Sequence, residues 1–121
     1  MDPAASLGAV LLVEDDPDVR FLMQALLRPL AGELVVARDG RAGTEAAAGR
    51  CFDWVVCDVH MPHRSGLELC EEIRAACPAS QIVLVSGFLS EEQRARAQAV
   101  EATILAKPFG AQELRAAVGA A

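Results

Sequence analysis

The sequence lacks an apolar run long enough to cross a membrane. Its 121 residues are 53% hydrophobic, but each uninterrupted apolar run has only the length of a β-strand, whereas a membrane-spanning helix needs about 20 apolar residues. We therefore expect neither a transmembrane helix nor a signal peptide. This length suits one domain over residues 1–121, with an ordered core over about 8–118 and a loosely held "MDPAAS" at the start.

Clustered basic residues are also missing. The chain has 11 Lys and Arg against 17 Asp and Glu, a formal net charge of -6, and its arginines are scattered. Because affinity for a phosphate backbone rests on clustered Lys and Arg, we expect no nucleic-acid surface on this chain.

The four cysteines include no C-x-x-C pair. They fall in or beside apolar runs, at Cys51, Cys57, Cys70 and Cys77. This distribution indicates reduced core thiols rather than zinc ligands or disulfides. The cytoplasm is the expected compartment.

Five short aliphatic runs predict β-strands by their length and β-branched content. They are Ala9–Val13, Glu33–Ala37, Asp53–Cys57, Gln81–Ser86 and Ala102–Ala106. Helical patterns lie between and after them, over 17–28, 41–49, 66–77, 90–100 and 110–118. Because strand and helix alternate and the strands are continuously apolar, we predict an α/β fold in which helices cover both faces of a parallel sheet.

The helix boundaries have recognisable signals. Asp16 followed by Pro17 predicts the start of the first helix, and Pro29 predicts its end near Arg28. Ser90 and Gln93 predict a capping box at the fourth helix. The apolar stripe expected to face inward on the first helix consists of Val19, Leu22, Met23, Leu26, Leu27 and Leu30.

Polar side chains follow the predicted strands where functional groups of parallel α/β sheets collect. Glu14, Asp15 and Asp16 follow the first strand, Asp58 follows the third, Ser86 ends the fourth, and Lys107 follows the fifth. Carboxylates that converge repel one another, by roughly 4 kcal/mol for a pair 4 Å apart at an effective dielectric constant of about 20. A bound cation is therefore expected, and Mg²⁺ prefers such oxygen ligands.

These residues suit phosphoryl transfer to a carboxylate. Asp58 is the predicted nucleophile, Glu14 and Asp15 the predicted metal ligands, and Lys107 and Ser86 the groups that stabilise the phosphoryl charge. Gly87 would leave space for an attacking group. Asp16 is assigned to helix capping. Taken singly, Lys107 could be an ordinary surface lysine and Ser86 could satisfy a local backbone group.

The chain resembles the receiver domains of two-component response regulators. The likeness is carried by "VLLVEDD", "DWVVCDVHMPHRSGLEL", "IVLVSG" and "AKPF" in this order and covers roughly 9–118. It implies the strand order 2-1-3-4-5 and phosphorylation of Asp58 by a histidine kinase or a phosphotransfer protein. It also implies Mg²⁺, or Mn²⁺ in its place, bound by Asp15, Asp58, the backbone carbonyl of His60 and, through water, Glu14.

The resemblance further implies a switch that is read by a downstream effector domain or protein. The expected surface comprises the fourth helix, fifth strand and fifth helix, through which a homodimer could also form. Ile104 stands where many members carry Tyr or Phe, so the usual aromatic readout is absent. The interval from Ser86 to Lys107 is about one residue short. His60 and Phe88 are expected to face the site and to set the lifetime of phosphorylated Asp58.

Two other kinds of function share parts of this pattern. A receiver-like module that works by protein contacts without phosphorylation remains open because of Ile104. An Asp-nucleophile phosphatase resembling haloacid dehalogenases would want a second Asp two residues after the nucleophile, where this chain has His60. Because no effector follows Ala121, the sequence allows a stand-alone regulator, a receiver cut from a longer chain, or the receiver of a hybrid kinase.

Overall fold

The computed structural model describes residues 7–120 and contains one five-stranded parallel sheet in the order β2-β1-β3-β4-β5. The predicted α/β class and strand order are thus confirmed. The strands are β1 (Ala9–Val13), β2 (Glu33–Ala37), β3 (Trp54–Asp58), β4 (Gln81–Ser86) and β5 (Thr103–Ala106). The helices are α1 (Pro17–Leu27), α2 (Gly40–Ala47), α3 (Gly66–Ala76), α4 (Glu91–Ala99) and α5 (Ala111–Ala117), and a short 3-10 turn, Arg28–Leu30, follows α1. The expectation for "MDPAAS" lies outside these residues.

Apart from polar residues at the ends of β3 and β4, the three central strands are apolar because both faces of the sheet are covered. In β1, Leu11 and Val13 pack into one core cluster together with Leu67 of α3. Val10 and Leu12 point to the opposite face and pack with residues of α1 and α5. Each buried aliphatic side chain of this kind contributes about 1.5–3 kcal/mol. The sheet is therefore a rigid platform for whatever its strand ends carry.

The predicted capping signals hold. The Asp16 side chain accepts hydrogen bonds from the backbone N–H groups of Asp18 and Val19, and Pro17 is the first residue of α1. At α4, Ser90 and Gln93 cap each other's backbone N–H groups at 3.0 and 3.1 Å. These caps fix where each helix leaves the carboxyl edge of the sheet.

The prediction of an inward-facing apolar stripe on α1 is wrong at one position, Leu22. Met23 and Leu27 are buried, but Leu22 is 49% exposed, and its neighbour Phe21 is 76% exposed. The face that carries both turns away from the sheet, so the helix keeps an apolar surface beside the carboxyl edge.

The prediction of four reduced thiols is wrong for two of them. Cys51 and Cys77 form a disulfide with a Cα–Cα distance of 5.6 Å, whereas Cys57 and Cys70 are free and buried as expected. Cys51 precedes β3 and Cys77 is the C-cap of α3. Because α3 returns across the sheet after β3, its C-terminal end lies beside the beginning of that strand. A separation of 26 residues hides this proximity in the sequence.

Candidate functional site

The strand register brings the predicted site residues together at one edge of the sheet. Val13 pairs with Cys57, so the residues that follow them, Glu14 and Asp58, are neighbours across β1 and β3. Ser86 pairs with Ala106 at the ends of β4 and β5, which places Lys107 next in line. A carboxylate oxygen from each of Glu14, Asp15 and Asp58 lies within 4.8 Å of the other two.

Glu14 is the most enclosed of the three acids, with no exposed surface. Its Oε2 accepts a hydrogen bond from the backbone N–H of Asp16 at 3.1 Å. Its Oε1 has no hydrogen-bond partner among residues 7–120. Burial raises the pKa of Glu14 to about 7, and the Asp58 carboxylate acts in the same direction, against the Asp16 N–H and Lys107.

Lys107 supplies the positive charge of the cluster. Its Nζ lies 3.2 Å from Asp58 Oδ2 and 3.4 Å from Glu14 Oε1. Partial burial opposes the ammonium charge, but the Asp58 and Glu14 carboxylates outweigh it and raise the pKa of Lys107. The backbone N–H of Lys107 donates to the Ser86 carbonyl at 2.9 Å and holds the ends of β4 and β5 together.

The donor set fits a hard divalent cation. Three carboxylates face one ammonium, so negative charge remains when all are ionised, and the buried Glu14 Oε1 has the Lys107 ammonium at 3.4 Å but no hydrogen bond within residues 7–120. Asp15 is only partly buried, which leaves the cluster open to solvent on its side. A cation that keeps several waters, as Mg²⁺ does, matches such a half-open site.

Ser86 is engaged away from the carboxylates. Its hydroxyl donates to the Phe88 carbonyl at 2.6 Å and accepts from the Phe88 N–H at 3.1 Å. The same carbonyl lies 2.9 Å from His60 Nε2. Since a carbonyl can only accept, that nitrogen carries the proton. Two side chains from different strand ends therefore hold one carbonyl of the loop between β4 and α4.

Comparison with known proteins gives the family. The sequence matches the response regulator receiver domain over residues 10–119. The chain belongs to the response regulator receiver family. It is 33% identical over 108 residues to the transcriptional regulatory protein ZraR of Escherichia coli O157:H7, covering 88% of this chain and 24% of that protein. It is 34% identical over an alignment of 124 positions, gaps included, to the sensor histidine kinase AruS of Pseudomonas aeruginosa, covering 97% of this chain and 12% of AruS.

A solved structure of similar size has the same fold. The chemotaxis protein CheY4 of Vibrio cholerae superposes with a TM-score of 0.82 at 28% identity, and the match covers 94% of this receiver and 98% of CheY4. The chain spans about a quarter of ZraR and about an eighth of AruS. Within residues 7–120 no helix has the length and apolar character needed to cross a membrane.

Three further positions predicted to take part in the site or the switch, Ile104, Phe88 and Gly87, differ in how far they are buried. Ile104 is half-buried in β5, pairs with Leu84 and packs against the core cluster on the α3 and α4 side. Phe88 is 74% exposed, so its ring faces solvent while its backbone is bound. A Cβ at Gly87 would find nothing closer than the Lys107 Cβ at 4.0 Å. The side of the site next to Gly87 is therefore open.

Two further residues, Arg20 and Gly66, support the site. Arg20 Nη1 donates to the carbonyls of Glu14 and Asp15 at 3.1 and 3.3 Å, and so holds the acidic loop from α1. A Cβ at Gly66 would lie 2.0 Å from the Asp58 carbonyl oxygen, so only glycine lets α3 begin there. Arg20 lies four residues after the helix cap Asp16, and this spacing could have signalled its hydrogen bonds to the acidic loop. Nothing in the sequence indicates how closely Gly66 approaches the Asp58 carbonyl.

Proposed function

We propose that this receiver domain is a phosphorylation-activated signalling switch that accepts a phosphoryl group on Asp58. The donor is a phosphohistidine of a histidine kinase or phosphotransfer protein. One observation carries the proposal: the Asp58 carboxylate ends a central strand within 4.8 Å of two further carboxylates and 3.2 Å from the Lys107 ammonium. This is the arrangement that Mg²⁺-assisted transfer to a carboxylate requires.

In the proposed reaction a carboxylate oxygen of Asp58 attacks the phosphorus atom. The P–N bond to the donor histidine breaks, and its electron pair stays on the imidazole nitrogen. Mg²⁺, or Mn²⁺ in its place, held by Asp15, Asp58, the His60 carbonyl and Glu14, would neutralise the phosphoryl oxygens. Lys107 neutralises the opposite side. The domain turns over no external substrate and catalyses only the phosphorylation and dephosphorylation of Asp58.

Ser86 is the proposed first mover of the switch. To reach a phosphoryl oxygen on Asp58, its hydroxyl has to leave the Phe88 carbonyl, which it now contacts at 2.6 Å. The loop before α4 then loses one of its two side-chain donors. The surface formed by α4, β5 and α5 would change with it, and Ile104 would repack in place of an aromatic residue.

The lifetime of the phosphorylated state is proposed to depend on His60, the second side chain that donates a hydrogen bond to the Phe88 carbonyl. His60 Nε2 holds the Phe88 carbonyl at 2.9 Å, one residue after Gly87, beside which the site is open. It would therefore restrict the water that hydrolyses the phosphoaspartate. The Phe88 ring, 74% exposed in this structure, would contribute by turning inward over the same approach.

An apolar groove marks where the phosphodonor would dock. Val19 and Leu22 of α1, with Pro108 and Phe109, line a groove of about 350 Å³ that includes Lys107. Exposed apolar surface rimmed by polar groups is typical of protein contact sites.

The effector domain or protein would bind the α4–β5–α5 surface instead, the face through which two receivers would also pair. The cytoplasm is the proposed compartment, where such kinases expose their phosphohistidine.

The deciding experiment is incubation of the receiver with MgCl₂ and acetyl phosphate, followed by intact-mass analysis. We expect one phosphoryl adduct on the wild type and on Asp18→Asn, a control at an exposed acid close to the site. We expect none on Asp58→Asn. A wild type that stays unmodified, or an Asp58→Asn variant that is modified equally, contradicts the proposal.

A second candidate is a protein-interaction module that works without phosphorylation. Two observations favour it: Ile104 offers no aromatic ring, and the Ser86 hydroxyl is already satisfied by Phe88. In that case Asp58→Asn would leave partner binding unchanged. Partner binding that changes only after treatment with the phosphodonor supports the switch instead.

A further inference from the structure

We propose that Cys51 and Cys77 form a site of reversible thiol–disulfide exchange, at which a small thiol such as glutathione attacks Cys51. The pair lies at the edge of the sheet opposite to Asp58, because Cys51 precedes β3 and Asp58 ends it. This modification site goes beyond the phosphorylation function and does not depend on it.

The two cysteine residues differ in exposure. Cys51 is exposed, whereas Cys77 is 6% exposed. Two surface grooves meet at Cys77: one between α2 and α3 includes Thr44 and Ala76, and one of about 190 Å³ includes Pro78 and also Cys51. A small thiol can therefore approach Cys51 in the folded protein, while Cys77 is suited to leave.

The surrounding corner does not depend on the disulfide for its packing. Phe52 is buried, and its carbonyl accepts the Ser80 hydroxyl at 2.5 Å. Arg74 of α3 donates to the carbonyls of Ser80 and Val100 at 2.6 and 2.9 Å, which ties the end of α3 to the end of α4. Reduction therefore releases one cross-link from a corner that hydrogen bonds still hold, so that the thiols stay close enough to pair again.

The exchange consists of two displacements. A glutathione thiolate attacks Cys51 Sγ, the protein S–S bond breaks, and Cys77 leaves as a thiolate that takes a proton. A second glutathione thiolate attacks the glutathione sulfur of the mixed disulfide and releases Cys51. The protein disulfide is reduced to two thiols, and two molecules of glutathione are oxidised to glutathione disulfide.

The cross-link closes a segment that contains both β3 and α3. Because the two cysteines are 26 residues apart, the bond restricts the unfolded chain appreciably, and the oxidised form is expected to melt roughly 10 °C above the reduced form. Cys57 and Cys70 lie in the core with no exposed surface. They should remain unreactive in the folded protein.

The test equilibrates the full chain in glutathione buffers of varying ratio, alkylates free thiols and reads intact mass and peptide maps. We expect Cys51 and Cys77 to lose their thiols together as glutathione disulfide increases, in the wild type and in the control Cys70→Ser. Cys77→Ser should accumulate one glutathione, on Cys51. Cys51→Ser should react at least tenfold more slowly, because Cys77 is buried. Four free thiols at every ratio would overturn the proposal, as would equal reactivity of the two single variants.

A measurement on the wild type alone keeps the test independent of how the variants fold. The rate at which glutathione reduces the disulfide is followed in increasing urea below the unfolding transition. Exchange in the folded state predicts a rate that stays constant within about twofold. A rate that rises in step with the population of unfolded protein would show that the bond opens only on unfolding, which contradicts the proposal.

Discussion

The imidazole Nε2 of His60 lies 2.9 Å from the Phe88 carbonyl oxygen, which accepts the Ser86 hydroxyl at the same time. The loop after β3 and the loop after β4 are thereby joined at one atom. Phosphorylation that draws Ser86 away would leave His60 as the remaining side-chain link.

Loss of that link should shorten the life of the phosphorylated protein. In His60→Ala the loop between β4 and α4 is freer, water gains access, and we expect phospho-Asp58 to decay several-fold faster than in the wild type. His60→Gln retains a donor and should recover part of the difference. Decay is measured by intact mass after the phosphodonor is removed. The exposed His63, replaced by Asn, serves as the control; unchanged decay in both His60→Ala and Phe88→Ala would contradict the hypothesis.

Replacing the ammonium should strengthen metal binding. Lys107 lies 3.2 Å from Asp58 and 3.4 Å from Glu14, so Lys107→Met leaves the carboxylates more negative. We expect roughly three- to tenfold tighter Mg²⁺ binding by calorimetry, and a metal-free protein less stable by about 1–3 kcal/mol because charges are left unpaired. Lys107→Arg keeps the charge and should change neither quantity much. Equal Mg²⁺ affinity of the Met variant and the wild type would argue against a metal site among these acids.

Gly66 should not tolerate a side chain. Its Cβ would lie 2.0 Å from the Asp58 carbonyl oxygen, so Gly66→Ala has to displace either α3 or the end of β3. We expect a loss of about 2 kcal/mol or more in the free energy of unfolding, measured with urea. Gly87→Ala, where the nearest atom is 4.0 Å away, is the matched control and should be close to wild type. Similar stability of the two variants would refute the steric argument.

The apolar face of α1 should affect phosphotransfer from a protein phosphodonor but not from a small-molecule phosphodonor. Phe21 is 76% exposed, so Phe21→Ser should leave stability within about 0.5 kcal/mol. We expect a several-fold slower phosphotransfer from a partner histidine kinase and an unchanged rate with acetyl phosphate. Ala25→Ser, an exposed small residue one turn further along α1, is the control. Slowing with both donors would place the effect in the chemistry rather than in docking.

The link between α3 and α4 should weaken in acid. Arg96 donates two hydrogen bonds to Glu71, at 2.6 and 3.0 Å, and thereby lowers the pKa of that carboxyl. Its stabilisation is therefore full above the usual Glu pKa of about 4.3 and is lost as pH falls through the lower folded-state value. Because both groups are partly exposed, we expect Glu71→Gln to cost only about 0.5 kcal/mol at pH 7 and almost nothing at pH 2.

Urea unfolding of Glu71→Gln and the wild type at the two pH values measures this effect. Glu45→Gln, at an exposed acid of α2, controls for the loss of one negative charge. A difference between Glu71→Gln and wild type that persists at pH 2 would assign it to packing instead of the ion pair.

The sequence predicts most of this fold because its signals are local. Strand runs, the Asp16 cap and the Ser90–Gln93 box depend on neighbours within a few residues, and all are found in the structure. The convergence of Glu14, Asp58 and Lys107 follows from the parallel register, which makes the carboxyl ends of adjacent strands meet. These predictions needed only periodicity and topology.

The predictions that failed depend on contacts between distant segments. The bond between Cys51 and Cys77 requires α3 to return to the start of β3, and the exposure of Leu22 depends on which face α1 turns to the sheet. For Ser86 the sequence left two roles open, and the structure contains the local one, the contact with Phe88; a hydroxyl has several possible partners, so the residue types alone could not select it.

Lys107 is the only lysine in the sequence, and it lies against the two most buried acids of the site. Isotopic labelling of lysine therefore places a single side-chain amine signal in the whole spectrum, at the point where metal, phosphoryl group and loop meet. Titration with Mg²⁺ and then with a phosphodonor can be followed on that one resonance, without an attached probe. The protein thus contains its own reporter for the events proposed at Asp58.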